Sequence, residues 1–252
     1  MTDLLTGLLD RTPDQPWLEF LGRRWTGSAI AEEAQRPAGG LLSLGLAPGE
    51  RLGLLLPNLP IAVTAFMAAW RGGFVAAPMD PRQPKAALLA WQQRVRPAAL
   101  VTLDLATVYE RARPSFGDPA LRFVLVARMA SQLSAMKRLI SPWLRAGGTA
   151  RPAFDARTLA WESLGGPAPL PSLSDDAPAL LLPDGTQRTR GELAAAQPDG
   201  RRRLLGRPLA DERAVAALLA SLAGGGSVVL SPRLDERSLL KVAKAARTAE
   251  TI

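Results

Sequence analysis

The chain has 252 residues, of which 47% are hydrophobic and 21% charged, proportions that suit a globular protein with a sizeable core. It contains no cysteine and no histidine, which excludes disulfides, thiol nucleophiles, Ser-His-Asp triads and histidine-zinc sites. The formal net charge is +8, a sign that often accompanies nucleic-acid binding. The many arginines occur with only one tyrosine and without a basic-aromatic platform, so no nucleic-acid partner is expected.

The absence of cysteine and the character of the N-terminus both favour a cytoplasmic location. Residues 1–15 carry three aspartates and lack the basic-then-apolar order of a secretory signal. Two uncharged stretches, residues 52–70 and 214–232, are long enough to cross a bilayer. Pro57 and Pro60 interrupt the first, and three glycines at 224–226 interrupt the second, so both are expected to be short elements that meet at turns.

Short apolar strands alternate with helical segments along most of the chain. The predicted elements, in chain order, are a strand at 52–56, a helix at 61–71, strands and helices at 74–77, 84–94, 99–102, 105–113 and 122–126, and then a strand at 179–182, a helix at 213–222, a strand at 227–230 and a helix at 235–246. Parallel neighbours need crossover connections, so this alternation predicts an α/β fold with mainly parallel sheets flanked by helices.

Residues 127–172 interrupt this alternation. An amphipathic segment at 130–145 is followed by a passage rich in Gly, Pro and Arg, which is typical of an insertion with a linker. The segment would suit either peripheral contact with a membrane surface or docking on its own domain. We therefore expect three parts: an α/β subdomain at 1–126, the insertion and linker at 127–172, and a second α/β subdomain at 173–252.

Six segments follow one another in an order that a known family uses. They are GRRWT at 22–26, LAPGERLGLLLPN at 46–58, AFMAAWRGG at 65–73, VAAPMDP at 75–81, SDDAPAL at 174–180 and AGGGSVVLSPRLD at 223–235. Together they resemble the N-terminal portion of the AMP-binding, adenylate-forming acyl-CoA synthetases, also called fatty-acid-CoA ligases. The resemblance implies the N-terminal subdomains of the adenylate-forming enzyme fold.

The resemblance also implies a chemistry and a site. Members of the family join a carboxylate to ATP as an acyl-adenylate and pass the acyl group to a thiol such as coenzyme A. A loop rich in Gly, Ser and Thr holds the phosphates, because small side chains let backbone N–H groups approach the oxygens. The matching place is residues 183–191, with Arg190 at the position of the family's lysine. The implied cofactor-binding residues are Gly185, Thr186, Arg188, Arg190 and Gly191.

This loop departs from the family's pattern. Pro183 has no N–H to donate, and Asp184 places a negative charge where ATP would bring its own. Without the resemblance, the same residues predict a strand that runs into a Pro-Asp-Gly turn. Further on, Ala210 and Asp211 stand where the resemblance implies an aromatic residue and a histidine of an acyl pocket.

Other groups that the family needs are also missing from residues 1–252. The sequence ends before the family's magnesium-binding glutamate, its ribose-binding aspartate and its catalytic lysine, so no catalytic residue and no metal ligand are predicted. The basic run at 201–203 suits either an acidic partner or a solvated turn.

Two functions remain open from the sequence. The first is a truncated, non-catalytic, acyl-CoA-synthetase-like domain without a cofactor, which binds a protein partner or a second copy of itself. The second is a subunit that contributes to ATP-dependent fatty acid activation, with ATP and magnesium as cofactors and a partner chain supplying the missing half.

Overall fold

Twelve strands and six helices make up the part of the chain that this computed structural model describes, namely residues 14–134, 148–166, 168–195, 197–231 and 250–251. The strands are β1 Pro16–Phe20, β2 Arg23–Thr26, β3 Arg51–Leu55, β4 Val75–Met79, β5 Ala99–Leu103, β6 Phe123–Ala127, β7 Thr158–Ala160, β8 Pro178–Leu181, β9 Gln187–Thr189, β10 Arg202–Leu205, β11 Ser227–Leu230 and β12 Glu250–Thr251. The helices are α1 Gly27–Ser43, α2 Pro60–Gly72, α3 Lys85–Val95, α4 Ala106–Ala112, α5 Arg190–Ala194 and α6 Glu212–Ala223.

The larger sheet has seven strands in the order β7-β6-β5-β3-β4-β8-β9. All neighbouring strands are parallel except β8 and β9, which form an antiparallel hairpin. Every residue of β4 and β5 is buried, as expected for central strands of a parallel sheet covered on both faces. The predicted α/β class with mainly parallel sheets is therefore confirmed.

The smaller sheet has five strands in the order β12-β10-β11-β1-β2. Only the β1–β2 hairpin is antiparallel, and β1 lies parallel to β11 with Leu18 opposite Val228. The first and last described strands, β1 and β12, thus belong to the smaller sheet. Strands β8 and β9, from the second half of the chain, belong to the larger sheet together with strands of the first half. Each sheet takes strands from both predicted subdomains, and β7 forms within the predicted linker.

Helix α2 lies in the main hydrophobic cluster, which joins residues of both sheets. Twelve of its thirteen residues are buried, which is typical of a core helix that is apolar on all sides. Pro60 occupies the first helical position, where its missing N–H costs nothing. Gly73 ends the helix in the left-handed region with φ 75°. The predicted helix at 61–71 is confirmed to within one residue at each end.

Helix α1 was not predicted, because glycine and an internal proline disfavour helix in its sequence. Gly39 and Gly40 are required by packing: a Cβ at Gly39 would lie 2.7 Å from the carbonyl oxygen of Gly166, and one at Gly40 would lie 2.8 Å from the backbone nitrogen of Gly165. The helix therefore forms where burial against residues 164–166 outweighs local propensity.

One predicted helix and most of the amphipathic segment lie outside the described residues. The predicted helix at 235–246 lies outside them entirely. Of the amphipathic segment at 130–145, the structure describes only the first residues, which continue a 3-10 turn at Met129–Gln132.

Asn58 links the two sheets. Its side chain is 2% exposed, and its Nδ2 donates hydrogen bonds to the carbonyl oxygen of Leu205 at 2.9 Å and to that of Arg207 at 2.7 Å. Asn58 follows β3 of the larger sheet, and Leu205 is the last residue of β10 in the smaller sheet. One amide thus joins the carboxyl ends of two strands that share no sheet.

Replacement of Asn58 by leucine is expected to lower the free energy of unfolding by about 2–3 kcal/mol, because two buried carbonyls lose their donor. Urea unfolding followed by circular dichroism measures the change. The matched control is Gln93→Leu at an exposed site on α3, which is expected to change stability by less than about 0.5 kcal/mol. Equal losses in the two variants would contradict the role assigned to Asn58.

An ion pair anchors the start of β10. Arg203, almost fully buried, donates to both carboxylate oxygens of Asp199 and to Ser221 Oγ at 2.8 Å. The hydrogen bond from Arg203 lowers the pKa of Asp199 to about 2. Because the pKa is lower in the folded state, this stabilisation is present above pH 3.8 and is lost as the pH falls toward 2.

Asp199→Asn is therefore expected to cost about 1 kcal/mol near neutral pH, after allowance for the partial exposure of the carboxylate. The difference from the unsubstituted chain should shrink between pH 4 and pH 2. Urea unfolding at several pH values tests this, with Asp176→Asn at an exposed site as the control for loss of a carboxylate. A difference that stays constant down to pH 2 would be inconsistent with the assigned ion pair.

Candidate functional site

A cleft of about 1010 Å³ opens where three parallel strands end. Met79 ends β4, Leu182 follows β8, and Gly206 follows β10, and all three line the cleft. Ligands of open α/β sheets bind in the crevice outside the carboxyl ends of the strands. Among the described residues, this cleft therefore has the position expected of a functional site.

The lining of the cleft mixes apolar and charged side chains. Helix α3 contributes Trp91, which is 2% exposed, and its ring packs over the backbone of β3. Gly53 permits this contact, since a Cβ there would lie 3.1 Å from Trp91 Cη2. The other apolar lining residues come from four segments and are Met79, Ala87, Ala90, Leu182, Pro183, Pro208 and Ala210.

One wall of the cleft is the turn of the β8–β9 hairpin. The N–H of Leu182 donates to Thr186 O at 2.8 Å, and the N–H of Gly185 donates back to Leu182 O at 3.0 Å. The N–H of Thr186 donates to Asp184 Oδ1 at 2.8 Å. Gly185 has φ 97°, a conformation that glycine adopts readily. Pro183 has no N–H, so the turn uses these donors internally instead of presenting them to a ligand.

The turn also carries a fixed negative charge. The hydrogen bond from the N–H of Thr186 holds the pKa of Asp184 below its ordinary value, so this carboxylate stays ionised at neutral pH. Arg94 of α3 donates to the carbonyl oxygen of Pro183 and holds the turn against the helix. The carboxylate and the guanidinium thus lie side by side on the cleft wall.

Three of the five predicted site residues lie on this hairpin. Gly185 and Thr186 form the turn, and Arg188 lies on β9, where its Nε donates to Glu212 Oε1 of α6 at 2.6 Å. The sequence correctly indicated a Pro-Asp-Gly turn after a strand. Phosphate binding by this hairpin stays a prediction.

The other two predicted residues belong to helix α5. Arg190 is 6% exposed; its Nη1 donates to Trp70 O at 2.6 Å, and its guanidinium stacks on the Trp70 ring at 4.2 Å from the centroid. Gly191 donates its N–H to Asp175 O at 2.8 Å. Thr189 and Glu192 form a capping box that begins the helix there. The structure thus places Arg190 in the core and not beside the turn.

Charges around the cleft cancel. Asp80 pairs with Arg82 through two oxygens at 2.8 Å, and Arg207 pairs with Asp211 at 2.7 Å. With the Arg188–Glu212 pair, Arg94 and Asp184, the described rim carries four arginines and four carboxylates. The excess positive charge of the chain is therefore not concentrated among the described residues around this cleft.

Sequence reasoning did not single out Trp91, Arg94 or Asp80 as site residues. Trp91 and Arg94 lie three positions apart on the predicted helix at 84–94, so the helical period was an available signal that they share a face. Nothing in the sequence indicated that this face meets the β8–β9 turn.

Comparison with known proteins defines the family. The family model for AMP-binding enzymes matches residues 8–181, which is more than half of the chain. This chain belongs to the AMP-binding enzyme family. The structure describes most of the matched range of this AMP-binding domain, namely residues 14–134, 148–166 and 168–181. These residues form β1 to β8 and α1 to α4.

Relatives of the domain are adenylate-forming ligases and synthetases. The chain is 27% identical over 184 residues to Triostin synthetase I of Streptomyces triostinicus, which covers 73% of this chain and 30% of that protein. It is 27% identical over 105 residues to a long-chain-fatty-acid–CoA ligase of Bacillus subtilis, covering 42% of this chain and 19% of the ligase. Coronafacic acid ligase from Pectobacterium brasiliense superposes with a TM-score of 0.78 at 15% identity, over 98% of this chain and 48% of the ligase.

These comparisons confirm the resemblance to the N-terminal portion of an adenylate-forming ligase. The AMP-binding domain spans less than half the length of each of the three proteins. Within the described residues, no three acidic side chains come together as a metal site, and no helix is long and apolar enough to cross a bilayer.

The position of Arg190 leads to a test of its role. Arg190→Met is expected to lower the free energy of unfolding by about 2–3 kcal/mol, because a buried hydrogen bond and a cation–π contact are lost. Arg188→Met, which removes a partly exposed ion pair, should cost less than about 1 kcal/mol. Urea unfolding compares the two. Unchanged stability in Arg190→Met would leave this arginine available for a ligand instead.

Proposed function

We propose that this AMP-binding domain does not form an acyl-adenylate by itself and acts as a protein-binding component of a larger complex. The observation that carries the proposal is the β8–β9 turn, in which the N–H groups of Leu182, Gly185 and Thr186 bond within the hairpin and Pro183 has none. A triphosphate needs such donors turned outward, as in other phosphate-binding loops.

The electrostatics of the cleft support the same conclusion. The ionised carboxylate of Asp184 lies on the turn where phosphate oxygens would approach. Arg188 and Arg207 already pair with Glu212 and Asp211. Binding of a polyanion would require these pairs to break without a compensating positive field, so the cleft favours a ligand of low net charge.

A role in binding another protein is supported by the character of the cleft. A concave site that combines apolar side chains with a few charged ones is typical of a recognition site. Its side chains are held in place by paired charges, which keeps the surface ordered without a ligand. The partner would be a different protein or a second copy of this chain.

A second function remains in competition, namely a subunit that contributes to ATP-dependent fatty acid activation. It is favoured by the position of the cleft at the carboxyl ends of the strands and by the similarity to the Bacillus subtilis ligase. In that case ATP and magnesium would bind only when a partner chain supplies further groups.

Titration of the purified chain with Mg-ATP in a calorimeter tests the proposal, with an intact adenylate-forming ligase as the positive control. We expect no saturable heat and no exchange of pyrophosphate into ATP with a panel of fatty acids. Saturable binding together with acyl-AMP formation by the chain alone would overturn it. Activity that arises only after a second chain is added would favour the alternative.

The same preparation tests the binding role. Sedimentation of the chain alone measures homo-oligomer formation. Arg94→Glu and Ala90→Arg, both in the cleft lining, should weaken association, whereas Arg96→Glu at an exposed site outside the cleft lining should not. Association that is insensitive to both cleft variants would remove the cleft from the interface.

A further inference from the structure

A second pocket, of about 240 Å³, lies apart from the cleft and shares no lining residue with it. It is bounded by α1, by the first turn of α2 and by the segment that follows β7. Pockets for drug-sized ligands measure roughly 300–1,000 Å³, so this one admits only a small molecule.

Two opposite charges line this pocket without meeting. Glu33 and Arg36 are three residues apart on α1, a spacing at which a carboxylate and a guanidinium commonly pair. Within the described chain they form no ion pair. Trp25 holds the carboxylate through a hydrogen bond from its Nε1 to Glu33 Oε1 at 3.1 Å. Arg36 instead lies against Gly165, where a Cβ would be 3.9 Å from its Nε and Nη2.

The other two charged groups in the pocket are already engaged. The guanidinium of Arg23 stacks on the Trp25 ring at 4.3 Å from the centroid and donates to Ser131 O. Glu162 Oε1 accepts from the N–H of Arg128 at 2.8 Å and from Ser131 Oγ at 3.0 Å. Glu33 and Arg36 are therefore the groups that a ligand would meet.

Glu33 is an exposed residue, but neighbouring atoms partly surround its carboxyl. Neighbouring atoms remove part of its water, and this desolvation raises the pKa of its carboxyl above the ordinary value despite the hydrogen bond from Trp25 and the charge of Arg23. A cation placed beside the free oxygen would offset that cost. Arg36 is exposed and has no acceptor among the described residues, so its guanidinium can meet a carboxylate without breaking a contact.

The walls of the pocket are fixed in place. Trp25 and Trp161 are 3% and 5% exposed. Gln132 Oε1 accepts the N–H of Ile61 at 2.8 Å and so caps the first turn of α2 at the pocket's edge. A site of this kind is built before a ligand arrives, which lowers the cost of binding.

We propose that this pocket binds a small zwitterion, with its carboxylate on Arg36 and its ammonium on Glu33. The gap between the two side chains is the place for a molecule that carries both charges. A lone anion would bind Arg36 but be repelled by Glu33. A lone cation would bind Glu33 but be repelled by Arg36. The pocket's two arginines and two glutamates leave it without net charge, which suits a ligand that is itself neutral overall.

Calorimetric titration of the full chain with glycine, β-alanine and 4-aminobutyrate tests this, because these probes separate the same two charges by increasing distances. At least one should bind saturably and change the tryptophan emission, since Trp25 and Trp161 line the pocket. Acetate and methylammonium, each with one of the charges, should bind at least about tenfold more weakly.

Glu33→Gln and Arg36→Gln should each weaken the best probe by about tenfold or more. Glu32→Gln, one position along the same helix, and Arg96→Gln, at an exposed site elsewhere, are the matched controls and should leave binding within about twofold. Circular dichroism verifies that the variants are folded.

Three results would overturn the proposal. One is the absence of saturable binding by any of the three zwitterions. Another is acetate or methylammonium binding as tightly as the best zwitterion, which would define a simple ion site. The third is an equal effect of Glu32→Gln and Glu33→Gln. The comparison of the zwitterions with acetate and methylammonium uses the unsubstituted chain, so it remains valid even if a variant does not fold. Its outcome is independent of whether the domain binds ATP.

Discussion

The buried amide of Asn58 is the contact on which the arrangement of the molecule depends. No strand of the larger sheet pairs with a strand of the smaller sheet, so backbone hydrogen bonds do not fix how the two lie together. The packing of α1, α2 and α6 in one hydrophobic cluster brings them close. Asn58 then sets the position of the ends of β3 and β10 through two hydrogen bonds. Because its amide is buried, water cannot replace these two acceptors if the ends move apart. The cleft opens near this contact, where β4, β8 and β10 end.

In this chain the fold of an adenylate-forming enzyme occurs together with a β8–β9 turn that satisfies its own N–H groups. The sheets and helices superpose on coronafacic acid ligase over almost the whole chain. The β8–β9 connection is nevertheless a tight turn that satisfies its own N–H groups and carries Asp184. Sheet packing needs only that β8 and β9 pair, and a short turn achieves this as well as a long loop. The pairing of β8 with β9 therefore does not depend on the length of the connection between them.

The two pockets differ in size but have the same charge balance. Each is lined by arginines and carboxylates in equal number, once the pairing partners of the cleft are included. The excess positive charge of the chain consequently lies elsewhere. In the cleft three of the four carboxylates pair with an arginine of the protein. In the smaller pocket Glu33 accepts a hydrogen bond from Trp25 and forms no ion pair with Arg36 among the described residues, which is the basis of the proposed zwitterion site.

The sequence by itself determined the fold class, the strand–helix alternation and the turn at residues 183–186, because apolar runs, proline and glycine act locally. It also identified the family, since the order of six short segments survives in the chain. Local patterns failed for α1, whose Pro37 and paired glycines argue against helix, and they did not indicate that Arg190 is buried. Burial against residues 164–166 decides the first, and the stacking of Arg190 on Trp70 decides the second. Which strands share a sheet was likewise decided only by tertiary structure, because paired strands are distant in sequence. That Glu33 and Arg36 do not pair despite their helical spacing was also decided there, because Trp25 of another element holds the Glu33 carboxylate.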